Sequence, residues 1–477
     1  MADLPLWTAE EVAQAIGVDV HDQQWQATGV SIDSRTVEKG DLFIAIVGPA
    51  NDGHDYVANA LERGAVAAIV SSSVSDCPEG ANLLFVADTQ VAMEKLGVAA
   101  RTRTSAKVIA VTGSVGKTGT KEALAHCLKE QGKTHYSVGS FNNHWGVPLS
   151  LARMPANTEY AVFELGMNHA GELGPLSRFV RPDVAIITTI AIAHLEFFKD
   201  KSEIAFAKSE IFEGLAKEAY AIINADIEES DQLQRAALQL GVRQLITFGE
   251  VASADARLEA IKILPHSSEI SANICGHKLD YILSVPGEHW AMNSLAVLAA
   301  IKAIGADIDK ASNSLASMAA PGGRGAELKV LVEGGSFVII DESYNASPIA
   351  MQAAFKVLAS HELNDGGRKI LVVGDMRELG EKSPEIHASL ANDVLASGAD
   401  MVYACGSYMQ HLVDALPKEL IGGYTAHSDE LAPLVAQSVK ANDVVLIKGS
   451  LGSKMKVVLD ALLALSVDQN PAGKVGS

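Results

Sequence analysis

The chain has 477 residues, of which 58 are Asp or Glu and 38 Lys or Arg, a formal charge of −20. That length supports two to four domains with ample cores. The acidic balance argues against nucleic-acid binding, which needs a basic face. No apolar run reaches the roughly 18 residues of a membrane span, and the N-terminus lacks the basic-then-apolar plan of a signal peptide. Four scattered cysteines, Cys77, Cys127, Cys275 and Cys405, form no C-x-x-C pair, so zinc and disulfides are not expected and a soluble, cytoplasmic chain is.

In chain order, a small α/β unit is expected over residues 1–85. Thr8-Ala-Glu-Glu11 is a capping-box pattern opening a helix to Ile16. Gly40 to Gly48 reads as a strand, Asp55 to Arg63 as a helix, and Ala65–Val70 and Leu83–Val86 as further strands. Ser34, Arg35 and the turn-rich loop Gly48–His54 read either as plain turns or as a ligand loop.

A larger α/β unit is expected over residues 86–320, organised around Val108-Ile-Ala-Val-Thr-Gly-Ser-Val-Gly-Lys-Thr118. The apolar run is a buried parallel strand, Gly113 and Gly116 supply a tight turn, and a helix follows over Lys121–Lys129. Strand, glycine turn, Lys-Thr and helix make a phosphate-binding loop. Backbone N–H groups face the anion, Lys117 adds a point charge and the Thr118 hydroxyl can hold Mg²⁺. The strict G-x-x-x-x-G-K-[ST] spacing is broken, because Val111 stands at the first glycine.

Ser137–Pro148 reads as a long polar and aromatic loop, Tyr160–Glu164 and Asp183–Ile190 as strands. Ligands in open parallel sheets bind beyond the carboxyl ends of strands. Glu164 and His194 should therefore converge with the phosphate loop and suit a Mg²⁺ site. Lys208 lies among apolar neighbours in a helical segment; taken alone it reads as an ordinary helix lysine. Residues 250–285 alternate like antiparallel strands, and a long helix follows Pro286. Pro321-Gly-Gly-Arg-Gly325 predicts a hinge into a third unit, residues 321–477, with strands at Ser336–Asp341 and Arg368–Val373 and a helix at Met351–Leu358. Alternating strands and helices imply a doubly wound parallel sheet.

Together these motifs resemble the ATP-dependent Mur ligases of peptidoglycan synthesis. The resemblance rests on Asp33-Ser-Arg35 with Gly40-Asp-Leu-Phe43, Thr112–Thr118, Asn142-Asn-His-Trp-Gly146, Glu164-Leu-Gly-Met-Asn-His169, Ala193-His-Leu-Glu196 and Lys208-Ser-Glu-Ile-Phe212. Pro286-Gly-Glu-His289 with Asn293, Gly323-Arg324, Asp341-Glu-Ser-Tyr-Asn345 and Gly374-Asp-Met376 complete it. The last two favour the branch that adds D-alanyl-D-alanine, although Glu342 and Ser347 stand where Asp and Asn are expected.

The resemblance implies three α/β domains: a small N-terminal one for the UDP-sugar, a central P-loop ATPase-like one, and a C-terminal Rossmann-like one that brings the incoming dipeptide. It implies ligation of D-alanyl-D-alanine to UDP-N-acetylmuramoyl-tripeptide through an acyl phosphate, by a monomer with no nucleic-acid partner. Gly113, Ser114, Val115, Gly116, Lys117, Thr118, Gly119, Asn293, Arg324 and Asp341 would hold ATP. Thr118, Glu164, His194 and a CO₂-derived carbamate on Lys208 would hold Mg²⁺. Lys117, Lys208, His194 and Arg324 would be catalytic. Ser34, Arg35, Pro49, Ala50, Asn51, Asn142, Asn143, Tyr344 and Asn345 would contact substrate. Two rivals remain: a folylpolyglutamate synthase-like ligase, which needs no N-terminal unit of this kind, and a nucleotide-dependent switch that makes no amide.

Overall fold

The computed structural model describes residues 5–20, 23–191 and 196–467. At the N-terminus the Thr8 hydroxyl accepts the Glu11 N–H while the Glu11 carboxylate accepts the Thr8 N–H at 2.8 Å, and the helix Ala9–Ile16 ends at Gly17 with φ of 80°. The capping box therefore forms as the sequence indicates, with a left-handed glycine stop. Four parallel strands follow, Gly29–Ser31, Asp41–Ile44, Ala67–Val70 and Leu83–Phe85. The helix Thr89–Thr102, capped by Asp88, buries Ala92, Met93, Leu96 and Ala100 in the core of this sheet. Leu149 and Ala152 enter the same core from the next unit, so the two are welded along that helix.

The central sheet has nine strands in the order His277–Leu283, Ser267–Ile274, Ala256–Leu264, Gln244–Gly249, Tyr220–Asn224, Val184–Ile187, Lys107–Thr112, Tyr160–Glu164 and Thr134–Tyr136. The last seven pair in parallel, and the first three form an antiparallel meander. The chemistry of the strands explains the difference. Val184–Ile187 is buried throughout, because helices cover both faces. Ser267–Ile274 buries alternate residues, with one face wet. The helix Glu288–Ala303 lies across the sheet and is buried almost all round.

The third unit is a six-stranded sheet in the order Ala326–Val332, Gly335–Glu342, Val444–Lys448, Lys369–Gly374, Met401–Cys405 and Ile421–Thr425, with cores on both faces. It departs from a purely parallel reading at one edge. Ala326–Val332 pairs antiparallel with Gly335–Glu342 through the two-residue turn Glu333-Gly334, where Gly334 has φ of 85° and Gly335, opening the second strand, has φ of 152°. Among the described residues no helix is long and apolar enough to cross a membrane.

Candidate active site

The phosphate loop leaves the strand Lys107–Thr112 between two neighbours that also end at this edge, Tyr160–Glu164 and Val184–Ile187. Its glycines are obligatory on two counts. Gly116 has φ of 91°, and a Cβ on Gly113 would lie 1.9 Å from the Thr188 hydroxyl. The Ser114 N–H donates to Thr189 O, its hydroxyl is tied to the backbone of Ala191, and Thr188 Oγ1 donates to Val115 O at 2.6 Å. The loop is thus fixed from the adjacent strand.

The helix it feeds spans Lys117–Lys129, starting four residues earlier than the sequence suggests, and no side chain caps its N-terminus. Those first N–H groups are unsatisfied donors at the positive end of the helix, a ready anion site. Lys117 Nζ donates to Gly113 O at 2.7 Å and Ser114 O at 3.4 Å. Burial lowers its pKa, the Glu164 carboxylate opposes that, and Arg324 adds to the lowering. Lys121, one turn on and fully buried, donates to Ser137 O and Gly139 O and pins the next loop to the helix.

That loop carries Asn142, whose amide donates to Glu164 Oε1 at 2.7 Å, while Thr118 donates to Glu164 Oε2 at 2.7 Å. Glu164 is 1% exposed, so one buried carboxylate joins the phosphate loop to the loop at 142. Asn143 accepts the N–H groups of Trp145 and Gly146 and opens the helix Gly146–Ala152. Trp145 in turn touches the position a Cβ on Gly48 would take, and its indole donates to Gln90. Pro49, Ala50 and Asn51 are exposed on the Gly48 loop, so this contact places them beside the loop at 142. Ser34 is buried in the N-terminal unit, and Arg35 points outward, paired with Asp33, whose carboxyl it holds below the usual range.

Lys208 is 2% exposed at the end of the helix Lys201–Ser209. Among the described residues it has no hydrogen-bond or ion-pair partner. Burial, then the nearby Lys117 charge, hold its pKa well below that of an ordinary lysine. Glu210, a candidate counter-charge, is committed elsewhere: it accepts the N–H groups of Gly171, Leu173 and Gly174 at the start of the helix Leu173–Val180. His194 lies outside the described residues.

A cavity of about 740 Å³ opens over the phosphate loop, walled by two units. The central unit contributes Ser114–Gly119, Asn224, Asp226 and Asn293; the C-terminal side contributes Gly323, Arg324, Glu342, Asn345 and Ser347. Asn293 lies 3.0 Å from the position of a Cβ on Gly116. Arg324 stacks over the Tyr344 ring at 4.5 Å, and the Tyr344 hydroxyl hydrogen-bonds Ser140 across the boundary. Asp341 does not line the cavity. Its carboxylate accepts the N–H groups of Gly323 and Ser343 and the Ser343 hydroxyl, shaping the loop that presents Arg324. A second cavity, about 680 Å³, lies at the amino ends of the central strands near Lys107, Asp183 and Tyr220, the end where such sheets do not place their ligands.

The sequence reading overlooked Lys121, Trp290 and Lys448. Trp290 packs its ring on Gly119. Lys448, 2% exposed, pairs with Glu342 at 3.0 Å. Lys121 carried a signal, a cation four residues after Lys117 on the apolar stripe of one helix. So did Lys448, a charge ending an apolar strand.

Three family models match the chain: the Mur ligase family catalytic domain over residues 26–125, the Mur ligase middle domain over 111–301, and the Mur ligase glutamate ligase domain over 328–451. The UDP-N-acetylmuramoyl-tripeptide–D-alanyl-D-alanine ligase of Rickettsia prowazekii is 36% identical over 95% of this chain and 99% of its own. A crystal structure of MurF from Acinetobacter baumannii superposes with a TM-score of 0.83 at 30% identity, covering 97% of this chain and 100% of the other. MurF from Thermotoga maritima, in complex with ADP, gives a TM-score of 0.75 at 28% identity over 92% of this chain and 97% of that one.

Proposed function

The chain belongs to the Mur ligase family, and from that premise we propose that it joins D-alanyl-D-alanine to UDP-N-acetylmuramoyl-tripeptide at the expense of ATP. The observation that carries this reading is the cavity in which the phosphate loop meets Arg324 and Asn345 of the C-terminal side, within one chain. The same loop is joined through Glu164 and Asn142 to the N-terminal unit's Gly48 loop.

A carboxylate is a poor acyl donor, so it must first be activated. The terminal carboxylate oxygen of the tripeptide attacks the γ-phosphorus, ADP leaves, and an acyl phosphate forms. The amine of the dipeptide then attacks the acyl carbon and loses a proton, and phosphate leaves. The first step brings two anions together. Two unit charges 4 Å apart repel by about 4 kcal/mol at an effective dielectric constant near 20. Lys117 and Arg324 flank the phosphate loop and offset that repulsion. The uncapped helix N-terminus would hold the phosphates, and Asn293, beside Gly116, would contact the nucleotide.

The donor set around Glu164 fits Mg²⁺, since the Thr118 hydroxyl and the Glu164 carboxylate are hard oxygen ligands already in contact with each other. Bound there, Mg²⁺ would neutralise charge on the transferring phosphoryl group. Lys208 as an ammonium is no ligand. As a carbamate it is an anionic oxygen donor, and its buried setting, with no side-chain partner among the described residues, favours the neutral amine that reacts with CO₂. The partners are small molecules, and one chain supplies every unit, so a monomer suffices. The cytoplasm, which supplies ATP and keeps the free cysteines reduced, is its compartment.

The test is to incubate the protein with ATP and UDP-N-acetylmuramoyl-tripeptide, carrying diaminopimelate or lysine, with and without D-alanyl-D-alanine. Phosphate and amide product are measured together. Phosphate release in step with pentapeptide is expected. Phosphate without amide would favour a nucleotide switch and overturn the reading.

A further inference from the structure

Three side chains that the ligase chemistry does not use meet at the seam between the central and C-terminal units. His266 sits in the two-residue turn between the strands Ala256–Leu264 and Ser267–Ile274. Glu327 is on the edge strand Ala326–Val332, and His361 closes the helix Pro348–Ser360. His266 Nδ1 lies 2.9 Å from Glu327 Oε2, and His361 Nε2 lies 3.0 Å from Glu327 Oε1. The donor atoms of all three lie within 4.8 Å of one another, and the two rings meet at 81° with centroids 6.1 Å apart.

The tautomer of His361 decides what this cluster lacks. Its Nδ1 lies 3.0 Å from Val357 O. A carbonyl only accepts, so Nδ1 carries the hydrogen. In a neutral ring Nε2 is then a lone pair facing a carboxylate oxygen, two acceptors in contact. A positive centre must lie between them. A proton on Nε2 would serve that one contact, with His266 Nδ1 donating separately to the other carboxylate oxygen. A cation would serve all three donors. A histidine whose other N–H is held by a backbone carbonyl is also the usual arrangement of a metal-binding imidazole, because the anchor fixes ring and tautomer.

We propose that His266, Glu327 and His361 form a binding site for a divalent transition ion of the zinc class, bridging the central and C-terminal units. Two imidazoles and one carboxylate suit Zn²⁺ with a fourth position open to water. Bonds of 2.0–2.1 Å place tetrahedral donors about 3.3 Å apart. The two close contacts are near that spacing, and His266, exposed at its turn, can adjust the third. The imidazole nitrogens also set this site apart from the oxygen donors at Glu164, which suit Mg²⁺. Occupied, it would clip the central hairpin to the C-terminal sheet beside Ile263, Val357 and Ser360 of the cavity wall.

The experiment uses the full chain, stripped with a chelator and then held in millimolar Mg²⁺ to fill hard-oxygen sites. Zn²⁺ is titrated in competition with a chromophoric chelator at pH 7.5, for the wild type, His266→Ala and His361→Gln. One equivalent of Zn²⁺ is expected in the wild type, with affinity at least tenfold weaker in each variant. Co²⁺ should give an intense tetrahedral visible spectrum that His266→Ala loses. His361 is buried and its replacement can disturb the helix end, so the exposed His266→Ala carries the decision, its fold checked by circular dichroism. Equal zinc retention by wild type and His266→Ala, or no zinc above the Mg²⁺ background, would overturn the proposal.

Discussion

Gly119 lies in the first turn of the helix Lys117–Lys129, where alanine is intrinsically better by about 0.5–1 kcal/mol. Its surroundings reverse that preference. A Cβ there would stand 2.6 Å and 2.8 Å from Trp290 Cη2 and Cζ3. The indole is 5% exposed and rooted in a helix buried almost all round, so it has little room to swing. Restoring ordinary contact requires a shift of about 1 Å, and overpacking of this kind costs about 1–3 kcal/mol. Gly119→Ala should therefore lose a net ~1 kcal/mol of stability. Asn293 is three residues beyond Trp290 on the same helix and lies against Gly116. Pushing Trp290 outward pulls Asn293 from the phosphate loop, and a loss of about 1.4 kcal/mol weakens nucleotide binding tenfold. Calorimetric titration with ADP should show that loss. Adding Trp290→Phe, which shortens the ring, should recover part of it. A Gly119→Ala protein that is more stable and binds ADP like the wild type would refute the packing argument.

Lys117→Ala should reduce ligation at least a hundredfold, since a charge contact to the transferring phosphoryl group contributes roughly 3 kcal/mol or more; near-normal turnover would remove the phosphate-loop assignment. Lys208→Ala should be nearly inactive and regain part of its activity with an added short-chain carboxylate in place of the carbamate, whereas full activity without rescue would end that idea. His135 donates to Ser150 O at 2.7 Å, and burial above all depresses its pKa to about 4. The unfolded chain, near 6.5, takes its proton first, so this contribution is intact above pH 6.5 and is lost as pH falls towards 4, by on the order of 3 kcal/mol in full. Denaturant midpoints at pH 7.5 and 5 should therefore separate less in His135→Gln than in the wild type; an unchanged separation would assign the acid sensitivity elsewhere.

The sequence was informative where one segment carries its own reasons. The capping box at Thr8, the apolar run into Thr112 and the alternation over 256–283 all depend on neighbours in the chain. It was silent where the reason lies elsewhere. The helix Leu173–Val180 draws its N-terminal acceptor from Glu210, in a later segment. The start at Lys117 was obscured by Gly119, which looks like a breaker until Trp290 is seen against it. Glu342 departs from the family residue, yet it pairs with a buried lysine that no local pattern connects to it. Ser347, the other departure, has a buried hydroxyl with no partner among the described residues, beside the same cavity. Thr118 and Glu164 were each visible as candidates; that Glu164 accepts from both Thr118 and Asn142 was not.

The nucleotide cavity has walls from two units, and this makes affinity a property of their docking as well as of the contacts themselves. If only a tenth of the molecules hold the docked arrangement, the measured affinity is tenfold weaker than that of the docked form. One of the contacts holding the units together is the Lys356–Glu288 ion pair, 3.0 Å long with side chains 73% and 59% exposed. Such pairs contribute at most about 1 kcal/mol and are screened over about 8 Å at physiological salt. Nucleotide binding should therefore inherit a modest salt dependence, up to about fivefold, from an ion pair that acts by holding the two walls of the cavity together.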